Sequence, residues 1–320
     1  MSGPFGSSHW MYKSGEVIAW GGSRMITAGG TTGNGGTAAG NADSIDYVNA
    51  TAASGNSADF GDLSAVRISL GAVSATGRIV FLGGNPSYVN VMEYITPAST
   101  GNVTDFGDLV VGSAYSSHQP SNGIRGLMHN GSRSAANGGS YHVEIEYITM
   151  ATTGNASDFG DLTEARAGVA GSSNGIRGLF WAGNHDAVPT HIKNIDYVTI
   201  ASTGNSADFG DMVRIVNSHS AAGNADRNIA FGGFYGSLQD TIEYVNPAST
   251  GNTTDFGNLL NAQYMNVGAE TAVRGLIHGG YGAVSYENTI QYVTFATTGN
   301  ATDFGNLSVG RYSHAGGSGA

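Results

Sequence analysis

Between Arg166 and Val213 the apolar positions fall into four short runs separated by polar, glycine-containing breaks. The first run, RAGVAGS, is made of small residues and reads as a strand. SNG at residues 173–175 is a turn. IRGLFWAG is apolar almost throughout and ends at Gly183, the pattern of a strand buried on both faces. A polar loop, NHDAVPTHIKN, follows. IDYVTIA then sets Ile195, Tyr197, Val198 and Ile200 among polar partners, close to the alternation of a half-buried strand. STGN makes the next turn and SADFGDMV a fourth strand.

The same order recurs along the chain. The Asp-Phe-Gly triplet begins at Asp59, Asp105, Asp158, Asp208, Asp255 and Asp303, at spacings of 46, 53, 50, 47 and 48 residues. A period of this size marks a solenoid, propeller or array, whose units complete their cores only against neighbours. Four antiparallel strands per unit, six times over, predict an all-β, six-bladed propeller. The domain assignment is an N-terminal arm over residues 1–22 and one propeller over 23–320. The chain ends in RYSHAGGSGA, a first strand with nothing after it, and the repeats open at SRMITAGG, a second strand. The C-terminal strand is therefore expected to complete the first blade from the inside, with EVIAWGG at residues 16–22 as its competitor.

Asp-Phe-Gly also occurs in protein kinases, where its Asp holds magnesium. A kinase carries it once, with a Gly-rich loop, a strand lysine and a His-Arg-Asp segment. Here it occurs six times and the only lysines are Lys13 and Lys193, which excludes that chemistry.

Composition narrows the classes further. Glycine is abundant (51) and proline scarce (6), as suits short strands joined by tight turns. The absence of cysteine removes disulfides, thiolate metal sites and cysteine nucleophiles. No apolar run reaches the length of a membrane span, and MSGPFGSSHWMYKSG lacks the form of a signal peptide. The net charge is −11, but 15 of the 24 acids recur at repeat positions, as do ten of the thirteen basic residues. No basic patch remains, so no nucleic-acid partner is expected. Arg24, Arg78, Arg125, Arg177, Arg227 and Arg274 each open a second strand. They are expected to pair with the six motif aspartates at the same end of the blade, as architecture and not chemistry. Asn155, Asp158 and Asp161 cluster in sequence, but without the spacing of an EF-hand loop, and no metal or cofactor is assigned. His185 and His191 share one loop without an evident third ligand.

The unit resembles the kelch repeat. A double glycine follows the second strand at Gly29-Gly30, Gly83-Gly84, Gly232-Gly233 and Gly279-Gly280, varied to Asn130-Gly131 and Ala182-Gly183. An acid-Tyr pair stands on the third strand in five copies and becomes Gln291-Tyr292 in the last. Kelch units usually carry Trp on the fourth strand, where every copy here has Phe. An arginine follows at Arg67, Arg166, Arg214 and Arg311, and His219 and His314 fall where kelch first strands often carry His. The resemblance covers roughly residues 23–316 and implies the propeller fold. More narrowly, DYVTIASTGN-x-x-DFGDL is similar to repeats of virion proteins from marine tailed bacteriophages.

Strand order puts the second-to-third loops and the blade links on one face. These loops vary and concentrate Tyr88, Tyr141, His142, His185, His191, Phe234, Tyr235, Tyr281 and Tyr286, the candidate binding residues. The resemblance implies a non-enzymatic virion protein: a capsid decoration, tail-associated or host-attachment module. Its partners would be other virion proteins, docked through an arm bearing Phe5, Trp10 and Tyr12. The alternative is a carbohydrate-binding or carbohydrate-active propeller facing host surface glycans. Copper radical oxidases share the propeller class but need a cysteine-modified tyrosine, and no catalytic residues are assigned.

Overall fold

A computed structural model describes residues 10–13, 16–19, 22–32, 40–114, 118–133, 141–185 and 191–319. They form six antiparallel sheets arranged as a β-propeller. Blade 1 runs outward from Ala315–Gly319 through Arg24–Ala28 and Ser44–Asn49 to Ala58–Asp62. Blade 2 is built from Gly71–Ala75, Arg78–Leu82, Val91–Ile95 and Thr104–Asp108. Blade 3 has Arg125–His129, His142–Thr149 and Ser157–Arg166. Its inner position is taken by the irregular segment 118–121, joined to blade 2 by an Ala72–His118 bridge and to its own blade by Ser121–Gly126. Pro120 lies in this segment and has no N–H to give a regular ladder. Blades 4, 5 and 6 begin at Ala170–Ser173, Ser220–Gly223 and Val267–Glu270 and end at Ala207–Asp211, Thr254–Asn258 and Thr302–Asn306.

The C-terminal strand holds the inner place of blade 1, with Gly317 opposite Ile26. Glu16–Ala19 does not compete for it and pairs with Trp10–Lys13 in a separate hairpin. The inner strands are rich in Gly, Ala and Ser because they crowd round the axis. A Cβ on Gly317 would lie 2.2 Å from Ser74 Oγ, and one on Gly268 would lie 2.3 Å from the Ala221 carbonyl. His118 of blade 3 crosses this axis to Glu270 of blade 6, at 3.3 Å, and to the Gly316 carbonyl of blade 1, also at 3.3 Å.

Second strands are buried on both faces, as in Arg177–Asn184, where Leu179, Phe180 and Trp181 are all sealed from solvent. On the fourth strand only the Phe of the motif points inward, edge-on to the Tyr of the third strand: Tyr197 and Phe209 lie 5.9 Å apart at 79°. Alternation along that strand then turns the motif Asp outward, and all six motif aspartates are exposed.

The expected pairing of these aspartates with the strand-opening arginines is therefore corrected. Arg24, Arg78, Arg125, Arg177, Arg227 and Arg274 each lie over the repeat tyrosine, 4.2–4.9 Å from its ring centre. Each also donates to a main-chain carbonyl of the next blade, such as Arg177 to Pro247 at 3.1 Å and Arg274 to Ala52 at 2.6 Å.

The ion pairs belong to the other arginine set. Arg67–Glu93, Arg166–Asp196, Arg214–Glu243 and Arg311–Asp46 join the link arginine to the acid beside the repeat tyrosine. Both partners of Arg166–Asp196 are wholly buried, at 3.1 Å. The acid also caps the outer edge of the preceding blade: Asp196 accepts from Thr163 N at 2.8 Å, and Glu243 from Val213 N at 3.0 Å. Blades 3 and 6 lack the arginine. Glu146 of blade 3 accepts from Asn130 instead, and blade 6 carries Gln263 and Gln291 at the two positions.

The repeated phrase also forms a seam between blades. The Gly of each Gly-Asn turn (TGN in five blades, Ser54-Gly55-Asn56 in blade 1) donates its N–H to the motif Phe carbonyl of the preceding blade, as Gly204 does to Phe159 at 2.7 Å. The Asn that follows accepts from the next motif position, as Asn205 Oδ1 does from Asp161 N at 3.1 Å. All six junctions share this pair of bonds, including Gly55 N to Phe304 O and Asn306 N to Asn56 Oδ1, which close blade 6 on blade 1. Asn155, which clusters with Asp158 and Asp161 in sequence, spends its oxygen on Asp108 N.

Two stability predictions follow from the seam and the buried pairs. Gly160 has φ 145°, and a Cβ there would meet the Gly204 carbonyl at 2.4 Å. Gly160→Ala should cost at least the roughly 1–3 kcal/mol of backbone strain, whereas Asp158→Ala should stay within about 0.5 kcal/mol; denaturant unfolding of both variants compares them. Arg166→Met should cost about 3–5 kcal/mol by stranding a buried carboxylate. Arg166→Gln combined with Asp196→Gln, the arrangement of blade 6, should recover most of that loss in the same assay.

Candidate binding face

The second-to-third loops and the blade links meet on one face, held by bridges such as Asn217–Phe234, Tyr264–Tyr281 and Thr31–Tyr312. Around blades 5, 6 and 1 their aromatic rings form a continuous cluster. Phe234 lies 5.6 Å from Tyr264, and Tyr264 lies 5.6 Å from Tyr281. Tyr281 packs edge-on to Tyr286 at 5.5 Å and to Tyr312 at 5.6 Å. Tyr286 and Tyr312 stack at 4.9 Å with 14° between their planes. One blade back, His191 packs against Tyr235 at 5.3 Å. Phe234, Tyr235 and Tyr281 remain exposed, at 37%, 50% and 37%.

Thus the structure brings together Phe234, Tyr281 and Tyr286 of the sequence candidates, and sets His191 with Tyr235 beside them. It does not bring in the others. Tyr88, on blade 2, lines a separate groove of about 480 Å³ with Val91, Val110 and Gly112. His142, on blade 3, lies 3.5 Å from Glu144, which also takes Arg133 at 3.2 Å. Tyr141 and His185 are half-buried on blades 3 and 4. Phe5 lies outside the described residues, as do the side chains of Trp10 and Tyr12.

Sequence reasoning missed Tyr264 and Tyr312, which sit in blade links and not in the variable loops. The signal was present: each precedes the first strand of a repeat by the same few residues, in NAQYMN and GRYSH. Burial raises the pKa of both hydroxyls, reinforced by the neighbouring tyrosines, so they stay protonated donors. Glu287, next to Tyr286, is likewise raised by burial. The nearest arginine in sequence, Arg311, is sealed beneath and committed to Asp46.

The imidazoles of His219 and His314 lie buried in the ring. Burial pushes His219 and His278 down to about 3 and His129 to about 4, and His314 also falls well below its usual value. Kept neutral, His278 and His314 share a ring-to-ring hydrogen bond of 3.2 Å, with Thr27 Oγ1 3.0 Å from His278 Nδ1. His118 moves the other way: burial opposes its charge, but Glu270 and the Gly316 carbonyl outweigh it. Among the described residues no group of three His or acidic side chains is placed to hold a metal ion, His185 and His191 included.

No protein-family model matches the chain, and a search of curated proteins finds no match.

These histidines set the pH response. A folded-state value depressed below the ordinary value near 6.5 contributes stability that is full above that pH and lost as pH falls. The melting temperature should therefore drop steadily as pH is lowered from about 6.5 toward 4, and His219→Leu should flatten that slope. His118 has the opposite sign: its contribution is full below about 6.5 and fades as pH rises through its raised value. His118→Gln should lower the melting temperature at pH 6 more than at pH 9.

Proposed function

We propose that the protein is a non-enzymatic structural protein of a bacteriophage virion, a kelch-like propeller used as a capsid decoration, tail-associated or host-attachment module. The observation that carries this reading is where the repeated polar residues go. The turn asparagines and link arginines, with all but one of the acids beside the repeat tyrosine, seal one blade to the next, leaving the unlike loops of one face as the surface free to vary. Such a ring suits a rigid display scaffold. The kelch likeness is supported by the double glycines, all at positive φ, as at Gly29 and Gly30 (66° and 92°) and Gly279 and Gly280 (58° and 116°). The virion likeness is supported by the repeated phrase itself.

The absence of catalysis is part of the proposal, and the arginines support it. All eleven have a structural partner: six over tyrosine rings, four in link ion pairs, and Arg133 with Glu144. None is left to orient a substrate carboxylate or phosphate. A second reading, a propeller that binds or processes cell-surface glycans, is favoured by the aromatic cluster on the loop face. Other virion proteins are the proposed partners of the N-terminal arm.

Quantitative mass spectrometry of purified particles, counting this chain against the major capsid protein, tests the proposal. Many copies per particle are expected of a decoration and few of a tail or attachment device. Absence from the particle would end the virion reading.

A further inference from the structure

The loop face carries two kinds of exposed feature, and they differ in how they are built. Val284, 92% exposed, stands alone at a loop tip. The main chain that carries the aromatic cluster is instead held by hydrogen bonds. Tyr264 and Tyr281 exchange main-chain hydrogen bonds of 3.2 and 2.8 Å, and Tyr312 and Thr31 exchange bonds of 2.9 and 3.2 Å. Glu287 N donates to Gly280 O at 2.8 Å and holds the loop that carries Tyr286. These bonds tie the cluster across the junction of blades 6 and 1, and Phe234 extends it to blade 5. Its rings need no rearrangement to present their faces and edges, so a ligand meets little ordering cost.

The chemistry around the rings selects the ligand. Tyrosine offers an electron-rich face to weakly positive C–H groups and a hydroxyl at the rim. No arginine or lysine of the described residues is free at the cluster, since Arg311 is buried against Asp46 and Arg274 lies over Tyr292. The charged group beside it is an acid, Glu287, and the whole chain carries −11. An anionic ligand would meet repulsion with no cation to pair it. A protonated Tyr264 or Tyr312 hydroxyl still donates to a neutral oxygen.

We infer that Tyr264, Tyr281, Tyr286 and Tyr312, with Phe234 at the edge, form a binding site for a neutral saccharide, a pyranose whose C–H face stacks on the exposed Tyr281 ring. This deepens the reading of the loop face as a recognition surface and rests on it. A sialylated, sulfated or otherwise anionic sugar is discriminated against at the same site. The site lies on one arc of the ring, so the described residues hold one such site and not six.

The full chain is titrated by calorimetry with a panel of neutral hexose and N-acetylhexosamine oligosaccharides and with their sialylated and sulfated counterparts. Saturable binding of at least one neutral member is expected, with its anionic counterpart at least tenfold weaker. Tyr281→Ala should weaken binding at least tenfold, while Tyr281→Phe, which keeps the ring, should retain most of it. Ile176→Ser, in an exposed turn between the first and second strands of blade 4, should leave it unchanged. Thermal melts confirm that each variant is folded; if Tyr281→Ala is not, Tyr286→Ala replaces it. No binding across the panel, preference for the anionic sugars, or equal affinity in the folded alanine variant would overturn the inference. Each of these results leaves the particle copy number untouched, so failure of the sugar site and failure of the virion reading are separable.

Discussion

The ring depends on the hydrogen bonds between the outer strand of one blade and the glycine–asparagine turn of the next. A fourth strand is a sheet edge, with main-chain N–H and C=O groups facing away from its own blade. The Gly-Asn turn of the following blade satisfies them, using Gly N–H for the Phe carbonyl and Asn Oδ1 for the N–H two residues on. The backbones approach this closely only because the strand side carries no Cβ: one on Gly160 would meet the Gly204 carbonyl at 2.4 Å, and one on Gly305 the Gly55 carbonyl at 2.2 Å. The repeat is written the same way six times because a ring of six has six equal junctions.

Beneath the seam, most of the buried acids do two things at once. Asp196 neutralises Arg166 and caps Thr163 N, so its desolvation is offset by both a cation and a donor. Blades 3 and 6 show what takes the place of the pair. Where the arginine is missing, the acid turns to a side-chain amide, Asn130 for Glu146, or is itself an amide, Gln291. A carboxylate kept without a partner is the one combination that the six copies avoid. Burial raises the pKa of Glu146 even though Val110 N, Asn130 and the charge of Arg133 favour its carboxylate.

Regularity at the seam leaves room for irregularity elsewhere. Blade 3 gives up a regular inner strand at Pro120, yet the segment sends His118 across the axis to Glu270 and Gly316, tying three blades at the centre. On the loop face the blades also differ, and a chain of touching rings runs over blades 5, 6 and 1 but stops short of blade 2. A sixfold scaffold thus carries a surface with no sixfold symmetry. That asymmetry allows a single recognition site on a ring of equivalent supports.

The chain's own pattern was enough to determine the number of blades, the strands within each and the closure by residues 315–319. Those follow from a period near fifty residues and from alternation within each run, which are properties of local sequence. Local sequence was also enough to mark which loops vary. It could not assign partners to charges, because an ion pair depends on how strands of neighbouring blades come to lie. Arg177 and Asp208 look complementary along the chain, but Arg177 lies over Tyr197 and, with Phe209 facing the core, Asp208 is turned to solvent. Nor could it gather the aromatic cluster, since Tyr264 and Tyr312 lie 48 residues apart in links that read as connections. Only the packing of the blade 6 link against the loop of the same blade, where Arg311 N donates to Glu287 O at 3.1 Å, brings the Tyr286 and Tyr312 rings into a stack.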